Sequence, residues 1–527
     1  MFKKVSALLL ALCFVALITA GCGLNDNEAT AVVTNLSKPD MAKWQYDAEY
    51  DFYYQLGIGY CETPADESYE QLAVFVPGAY IDAVANGDDT YTCELNEKIE
   101  LNGYTAASAP IVMQIRTEGY AAADAMTQEV FTRNQGIAEG IAEYTSQGLV
   151  FAYAGCRGIH EGAPLGAVDL KAAIRYLRYS NDVIAGDTES IFVYGMSSGG
   201  AMAAILGASG NSALYDPYLK AIGAIQGVSD AVCGSMDWCP ITELDTANAE
   251  YEWMMGCTRS GRTDELNAIS DKLAYAYADY VNSAGFTDEN GKKLTLEESE
   301  EGIYQAGSYY DYIKGVIEES LNHYLTDTDF TNSTVQDYID SLNADRKWVT
   351  YDKSTGTAKI KNIADFVKTC KQAADRPVAF DGLQSNNALF GVGDGKSSHF
   401  DRILADILTE LDSEYAADFN ADLEKTDAFG YTVEQRVNMY TPLYYLMNSR
   451  EGYGTADVAP YWRIRTGIEQ PTTSLTTEAN LALALESYND AKNVDFETVW
   501  EQGHEPVERT GDYIENFIAW VNTCMKD

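Results

Sequence analysis

The sequence predicts an α/β fold, with a mainly parallel sheet covered by helices and interrupted by one large, mostly helical insertion. Three observations predict it. Up to about residue 227, short apolar runs bounded by turn residues alternate with helical patterns. A second, shorter set of such runs returns after about residue 446. The stretch between them is rich in Tyr, Asp and Glu, reads as helical, and breaks the alternation. The chain therefore divides into residues 1–21 (leader), 22–45 (tether), 46–227 and 446–527 (the two parts of the core), and 228–445 (insertion or lid).

Each strand is a run of apolar, β-branched or aromatic residues that stops at a turn former. Gln71 to Val76 ends at Pro77-Gly78, Ile111 to Ile115 follows Pro110, and Leu149 to Ala154 lies between Gly148 and Gly155. Ile191 to Tyr194 ends at Gly195, and Ala221 to Ile225 ends before Gly227. In the later part, Tyr461 to Arg465 ends at Thr466-Gly467, and Val494 to Trp500 stops just before Gly503. Helices are expected over Glu129 to Tyr144, over Val168 to Tyr179 and across Met202 to Leu206. In the second of these, Val168, Ala172, Ala173, Tyr176 and Leu177 share one face.

The beginning of the chain reads as an address. Lys3 and Lys4 precede the apolar run Val5 to Ile18, and Thr19-Ala20-Gly21 lead into Cys22. A basic start, a short apolar core and small residues before the cut describe a secretory signal, too short for a convincing spanning helix. Small residues ending at a cysteine resemble a bacterial lipobox, which implies a lipid on Cys22 and an extracytoplasmic, membrane-tethered protein. Eight of the ten cysteines lie beyond Cys22, an even number that permits disulfides in that compartment. The charge balance is 36 Lys+Arg against 80 Asp+Glu, a formal −44, which excludes a phosphate-neutralising surface and hence a nucleic-acid partner. No nucleotide-binding loop and no cluster at metal-ligand spacing occurs, so neither cofactor nor metal is expected.

One motif carries chemistry. Gly195-Met196-Ser197-Ser198-Gly199 has the Gly-x-Ser-x-Gly spacing, with an apolar strand running in and an Ala-rich helix running out. A sharp strand-to-helix turn exposes a serine hydroxyl at the edge of a sheet, and small flanking residues let the backbone approach. Ser197 is the central residue and the candidate nucleophile, with Ser198 the runner-up. The backbone N–H of Ser198 is the first candidate oxyanion donor. On such an elbow the chain order is Ser, then Asp or Glu, then His. Of the four histidines, His160 precedes the serine, His323 and His399 fall in the insertion, and His504 follows the last strand; His504 is the candidate base. Strand 149–154 reads as the fourth and 111–115 as the third. That puts the second oxyanion donor within Arg116-Thr117-Glu118-Gly119, with Gly119 chosen for close backbone approach.

Several longer segments resemble the bacterial tannase and feruloyl-esterase branch of the α/β-hydrolase superfamily. They are Gly162 to Tyr179, including Asp169, Lys171 and Arg175, then Gly195 to Gly200, Gly207-Ala208-Ser209-Gly210-Asn211 and Tyr215 to Lys220. The similarity returns at Ala379-Phe380-Asp381-Gly382, Leu389-Phe390-Gly391, Tyr461 to Gly467 and Gly503-His504, spread over roughly residues 70–522. The resemblance implies an α/β-hydrolase fold and ester hydrolysis with Ser197 as nucleophile and His504 as base. It places the catalytic acid shortly after Gly467, at a position that falls here on Thr472 or Gln470. Glu469 is the nearest carboxylate and is assigned as the acid, with Asp457 a more distant candidate. Asn386 and Asn387 stand where such relatives often have a gallate-binding acid.

The expected function is that of an extracytoplasmic serine esterase acting on a small-molecule carboxylic ester, with tannase-like or feruloyl-like aromatic acyl groups in view. Two alternatives differ in kind: a peptidase on the same fold, and a lipoprotein that binds its ligand without catalysis.

Overall fold

The computed structural model describes residues 34–258, 262–331, 333–371, 385–393 and 396–527, together with Val32 and Ser260. The leader 1–21, Cys22 and the segment 379–382 lie outside the described residues.

The chain builds a nine-stranded sheet from β1 (Gln45–Asp47), β2 (Phe52–Gly59), β3 (Gln71–Pro77), β4 (Pro110–Ile115), β5 (Val150–Ala154), β6 (Asp187–Met196), β7 (Gly234–Trp238), β8 (Tyr461–Gly467) and β9 (Asn493–Val499). Their spatial order is β1-β2-β3-β5-β4-β6-β7-β8-β9. Pairs from β5 through β9 are parallel, while β1, β2 and β3 join antiparallel at one edge. This is the mainly parallel, helix-covered α/β-hydrolase fold that the alternation predicts.

The two faces of the sheet follow the period of two along each strand. On one face Val74, Ile111, Met113, Ala152, Ile191, Val193, Trp462 and Ile464 pack against α2 (Leu165–Tyr179), α3 (Ser198–Ala208) and α4 (Leu475–Glu486). On the other, Phe75, Val112, Phe151, Phe192, Tyr194 and Met236 pack against α1 (Gln135–Thr145) and α5 (Tyr513–Cys524). Burial on both faces explains why these strands read as nearly continuous apolar runs. α3 is buried along its whole length, so its alanines and glycines admit it closely to the sheet.

The structure alters the expected organisation in three places. Ala221 to Ile225 is the end of a short helix (Asp216–Ala221) and the loop after it, not a strand. The strand is Gly234–Trp238, paired with β6 and β8, so the core runs to residue 238 and not to 227. Its serine, aspartate and glycine disguise it in the sequence. The tether is also shorter than read: Trp44 is fully buried and Gln45 opens β1. With β1 and β2 ahead of β3, the runs numbered third and fourth are the fourth and fifth strands of the sheet.

The inserted region is mostly helical, with Asp264–Ala284 and Ser308–Asp327 its longest helices, and it carries a hairpin of Val349–Asp352 with Thr357–Ile360. Its core is continuous with the α2–α4 face of the sheet. Buried polar bonds fix the junction: Tyr309 Oη donates to Asn480 Oδ1 of α4 at 2.5 Å, and Ser320 Oγ donates to the Thr498 carbonyl of β9 at 2.8 Å.

Candidate active site

β6 and α3 meet at Ser197, whose backbone sits at φ 60°, ψ −126°. A non-glycine residue holds such a conformation only where its surroundings over-determine it. Here the Ser197 N–H donates to the Trp238 carbonyl at 2.9 Å, and its carbonyl accepts from Ala201 N–H at 2.9 Å and Ile241 N–H at 3.2 Å. The flanking glycines permit the contact. A Cβ on Gly195 would lie 2.4 Å from the Gly199 carbonyl carbon, and one on Gly199 would lie 2.7 Å from the Ile115 oxygen. The strand-to-helix elbow is thus wedged between the ends of β4 and β7.

His504 reaches this serine from the loop after β9. Its Nε2 lies 2.8 Å from Ser197 Oγ, and its Nδ1 lies 2.7 Å from Gln470 Oε1. The ring is partly buried, and burial lowers its pKa below the ordinary histidine value.

The residue behind the histidine corrects the assignment of Glu469. Glu469 is half-buried; its backbone N–H donates to the Gln502 carbonyl at 3.0 Å, and burial followed by the Glu501 charge raises its carboxyl pKa. The turn after β8 presents the next residue, Gln470, to the imidazole. Asp457 is engaged elsewhere, accepting from Asn211 Nδ2 at 2.6 Å.

Gln470 is held by a buried polar cage. Its Nε2 donates toward Thr466 Oγ1 at 2.9 Å, Thr473 Oγ1 at 2.8 Å and, in a short contact, Glu478 Oε1. The same Glu478 oxygen accepts from Thr466 Oγ1 at 3.2 Å and Thr473 Oγ1 at 3.0 Å. Lys371 Nζ donates to the Gln470 carbonyl at 2.7 Å and the Thr473 carbonyl at 3.2 Å, tying down the loop from outside. Burial raises the Glu478 pKa against the opposing pull of Lys371, and burial lowers that of Lys371. Gln470 is one of the two positions on which the resemblance places the acid, and its amide carries no charge. Glu478, Thr466, Thr473 and Lys371 left no signal in the sequence.

The two expected oxyanion donors lie at the start of α3 and in the turn after β4. Ser198 opens α3, where the first N–H groups of a helix have no intrahelical acceptor. Gly119 sits in the turn after β4 at φ 67°, ψ 20°, with open space around its Cα. Thr117, at the start of that turn, is buried, and its hydroxyl has no partner among the described residues.

Buried charges on α2 tie that helix to the loops around it. Asp169 accepts from the Arg157 backbone N–H at 2.8 Å and from its Nε at 2.9 Å, fixing the loop after β5. Asp230 accepts from Lys171 Nζ at 2.9 Å, Arg175 Nε at 2.8 Å and Asn211 N–H at 2.8 Å, binding α2 to the loops after α3 and before β7. The eight cysteines from Cys61 to Cys524 are free thiols. Among the described residues there is no metal-holding cluster of His, Cys, Asp and Glu, and no helix long and apolar enough to cross a membrane.

Residues 98–284 match the family model BD-FAE. No curated protein matches the chain. Among solved structures, tannin acyl hydrolase from Lactobacillus plantarum is 26% identical, with 90% of this chain and 94% of that chain covered and a TM-score of 0.69. Fusobacterium nucleatum tannase is 27% identical, with 90% and 95% covered and a TM-score of 0.70. A tannin acyl hydrolase in complex with ethyl gallate is 26% identical, with 90% and 94% covered and a TM-score of 0.68.

Proposed function

We propose that this chain, a carboxylic ester hydrolase of the α/β-hydrolase fold, cleaves esters of small aromatic acids outside the cytoplasm through an acyl-enzyme on Ser197. The observation that carries the reading is the 2.8 Å contact between Ser197 Oγ, on a positive-φ elbow, and His504 Nε2.

The chemistry follows from that contact. Neutral His504, with its proton on Nδ1 and donated to Gln470 Oε1, accepts the Ser197 hydroxyl proton at Nε2 as Oγ adds to the ester carbonyl. The carbonyl oxygen takes the negative charge and is held by the N–H groups of Ser198 and Gly119. The tetrahedral adduct collapses, the C–O bond to the alcohol breaks, and His504 Nε2–H protonates the departing oxygen. Water then gives a proton to His504 and adds to the acyl carbon. The acid leaves as Ser197 Oγ recovers its proton.

Likeness to structures whose described ligands include ethyl gallate and 3,4-dihydroxybenzoate supports an aromatic acyl group. Asn386 and Asn387 stand where the resemblance expects a gallate-binding acid, so simple phenolic esters fit this reading better than galloyl esters. The lipid anchor on Cys22 rests on the basic, apolar and small-residue order of residues 3–22. The uncharged Gln470 favours the rival reading of a ligand-binding protein that has lost catalysis.

Incubation with a fluorophosphonate and mapping of the adduct separates these readings. The expected result is modification of Ser197, absent in Ser197→Ala and slowed by at least tenfold in His504→Ala. Hydrolysis of ethyl ferulate or ethyl benzoate, with no cleavage of short peptides, completes it. A folded protein that neither labels nor hydrolyses leaves the binding reading in its place, and peptide cleavage alone leaves the peptidase.

A further inference from the structure

We infer that Glu478 is the positioning carboxylate of this site, acting on His504 through the side-chain amide of Gln470. The inference rests on the serine-hydrolase reading above and adds to it the device that makes an amide workable behind the histidine.

An amide is ambiguous where a carboxylate is not. A carboxylate only accepts, so it holds the imidazole with its proton on Nδ1 and leaves the Nε2 lone pair for the serine. A glutamine offers a carbonyl at one end and an NH2 at the other. With the NH2 toward the ring, Nδ1 becomes the acceptor, the proton moves to Nε2, and the serine loses its base. In serine hydrolases an amide that imposes this wrong tautomer lowers kcat by about 10⁴. Gln470 therefore supports a competent histidine in only one of its two orientations.

The surroundings of its nitrogen select that orientation. Glu478 Oε1 lies in hydrogen-bond contact with Gln470 Nε2 and is the acceptor of both threonine hydroxyls, so this oxygen faces the amide as an acceptor. The two threonine hydroxyls each have one proton, and both lie within bonding distance of the same Glu478 oxygen, leaving their lone pairs for the Gln470 NH2. Three acceptors thus converge on the nitrogen. Reversing the amide would set its carbonyl oxygen against Glu478 Oε1, an unscreened repulsion in a site where Glu478 and Thr466 are fully buried. The carbonyl Oε1 is left facing His504 Nδ1 at 2.7 Å. Burial raises the Glu478 pKa to about 7 against the pull of buried Lys371, and the lysine's bonds to the Gln470 and Thr473 backbone carbonyls keep the loop in register with the cage.

Glu478 is eight residues beyond Gln470, on α4. The carboxyl group that usually adjoins the histidine has thus moved one side chain back. It orients the ring without sitting beside it.

Two readouts on the full-length protein test this: the second-order rate of fluorophosphonate labelling at Ser197, and the tautomer of His504 by imidazole ¹⁵N NMR, with only four histidines to resolve. In Glu478→Gln the replacement amide can donate to Gln470 Oε1 and accept from its NH2 equally well. The labelling rate is expected to fall at least tenfold, and the His504 signal to shift from the Nδ1–H form toward a mixture. In a Gln470→Ala background the same substitution is expected to cost less than twofold, because the amide that links Glu478 to the ring is gone. If Glu478→Gln does not fold, the charge-balanced Glu478→Gln/Lys371→Gln pair is read in the same way. A labelling rate within twofold of wild type with an unchanged tautomer overturns the inference, and so does an equal loss in both backgrounds. Wild-type protein that fails to label, yet shows the Nδ1–H tautomer lost on Glu478→Gln, overturns the hydrolase reading and leaves the positioning role standing.

Discussion

Ser197 and His504 are 307 residues apart in the chain, and their side chains meet at 2.8 Å. The elbow ends β6 at the centre of the sheet, while the histidine follows β9, the strand at its edge. The loop after β9 reaches back past β8 and β7 to make the contact, so the site depends on the register of the whole parallel half of the sheet.

Under the proposed mechanism, the pH dependence of hydrolysis is set by this histidine. It acts as a base only when neutral, and burial lowers its pKa, with no carboxylate among its ring hydrogen bonds to hold the extra proton. The acid limb of kcat/KM is therefore expected below the ordinary histidine value of about 6.5. Gln470→Glu places a carboxylate on Nδ1–H, favours the imidazolium, and should move that limb to higher pH by roughly 1 unit. A pH–rate profile of the two proteins checks both; a wild-type limb above 6.5 would contradict the described environment of the ring.

The glycines of the elbow are steric requirements, and their substitution should cost stability as well as activity. An added methyl at Gly195 or Gly199 meets backbone at 2.4 or 2.7 Å, which cannot be relieved by rotating a side chain. Gly195→Ala and Gly199→Ala are each expected to destabilise by about 1–3 kcal/mol in urea unfolding. Gly140, inside α1, has nothing within 4 Å of such a methyl, and Gly140→Ala should stabilise by about 0.5–1 kcal/mol. Equal effects at all three positions would contradict the close approach of β4 to the elbow.

Asp230 anchors a different region, the buried cluster that joins α2 to the loops around it. Burial pushes its carboxyl up, but Lys171 and Arg175 outweigh that and hold its pKa below the ordinary aspartate value. Asp230→Asn leaves a fully buried Lys171 ammonium without its counter-charge and should destabilise by about 3–5 kcal/mol. A depressed carboxylate pKa contributes stability that is present above the unfolded value of about 3.9 and is lost as pH falls through the folded one. Wild-type stability should accordingly drop more steeply than that of the variant as pH falls below about 4, as urea titrations would record.

The sequence by itself determined the α/β alternation, the elbow at Ser197 and the identity of His504. Each rests on a local pattern: apolar runs ending in turn formers, glycines two residues either side of a serine, and a single histidine after the last strand. β7 escaped because Gly234, Ser235 and Asp237 break the apolar run that marks its neighbours, and a strand gripped between two others needs no strong propensity of its own. The acid position escaped for a related reason. Glu469 carries the expected charge, but the turn after β8 points Gln470 at the ring, and a sequence does not state which of two adjacent loop residues faces inward. Only the tertiary structure brought Glu478 from α4 to the Gln470 side-chain amide and Lys371 from the insertion to its backbone carbonyl. Charge in a buried site acts over the few ångströms that folding creates, and chain separation carries no record of them.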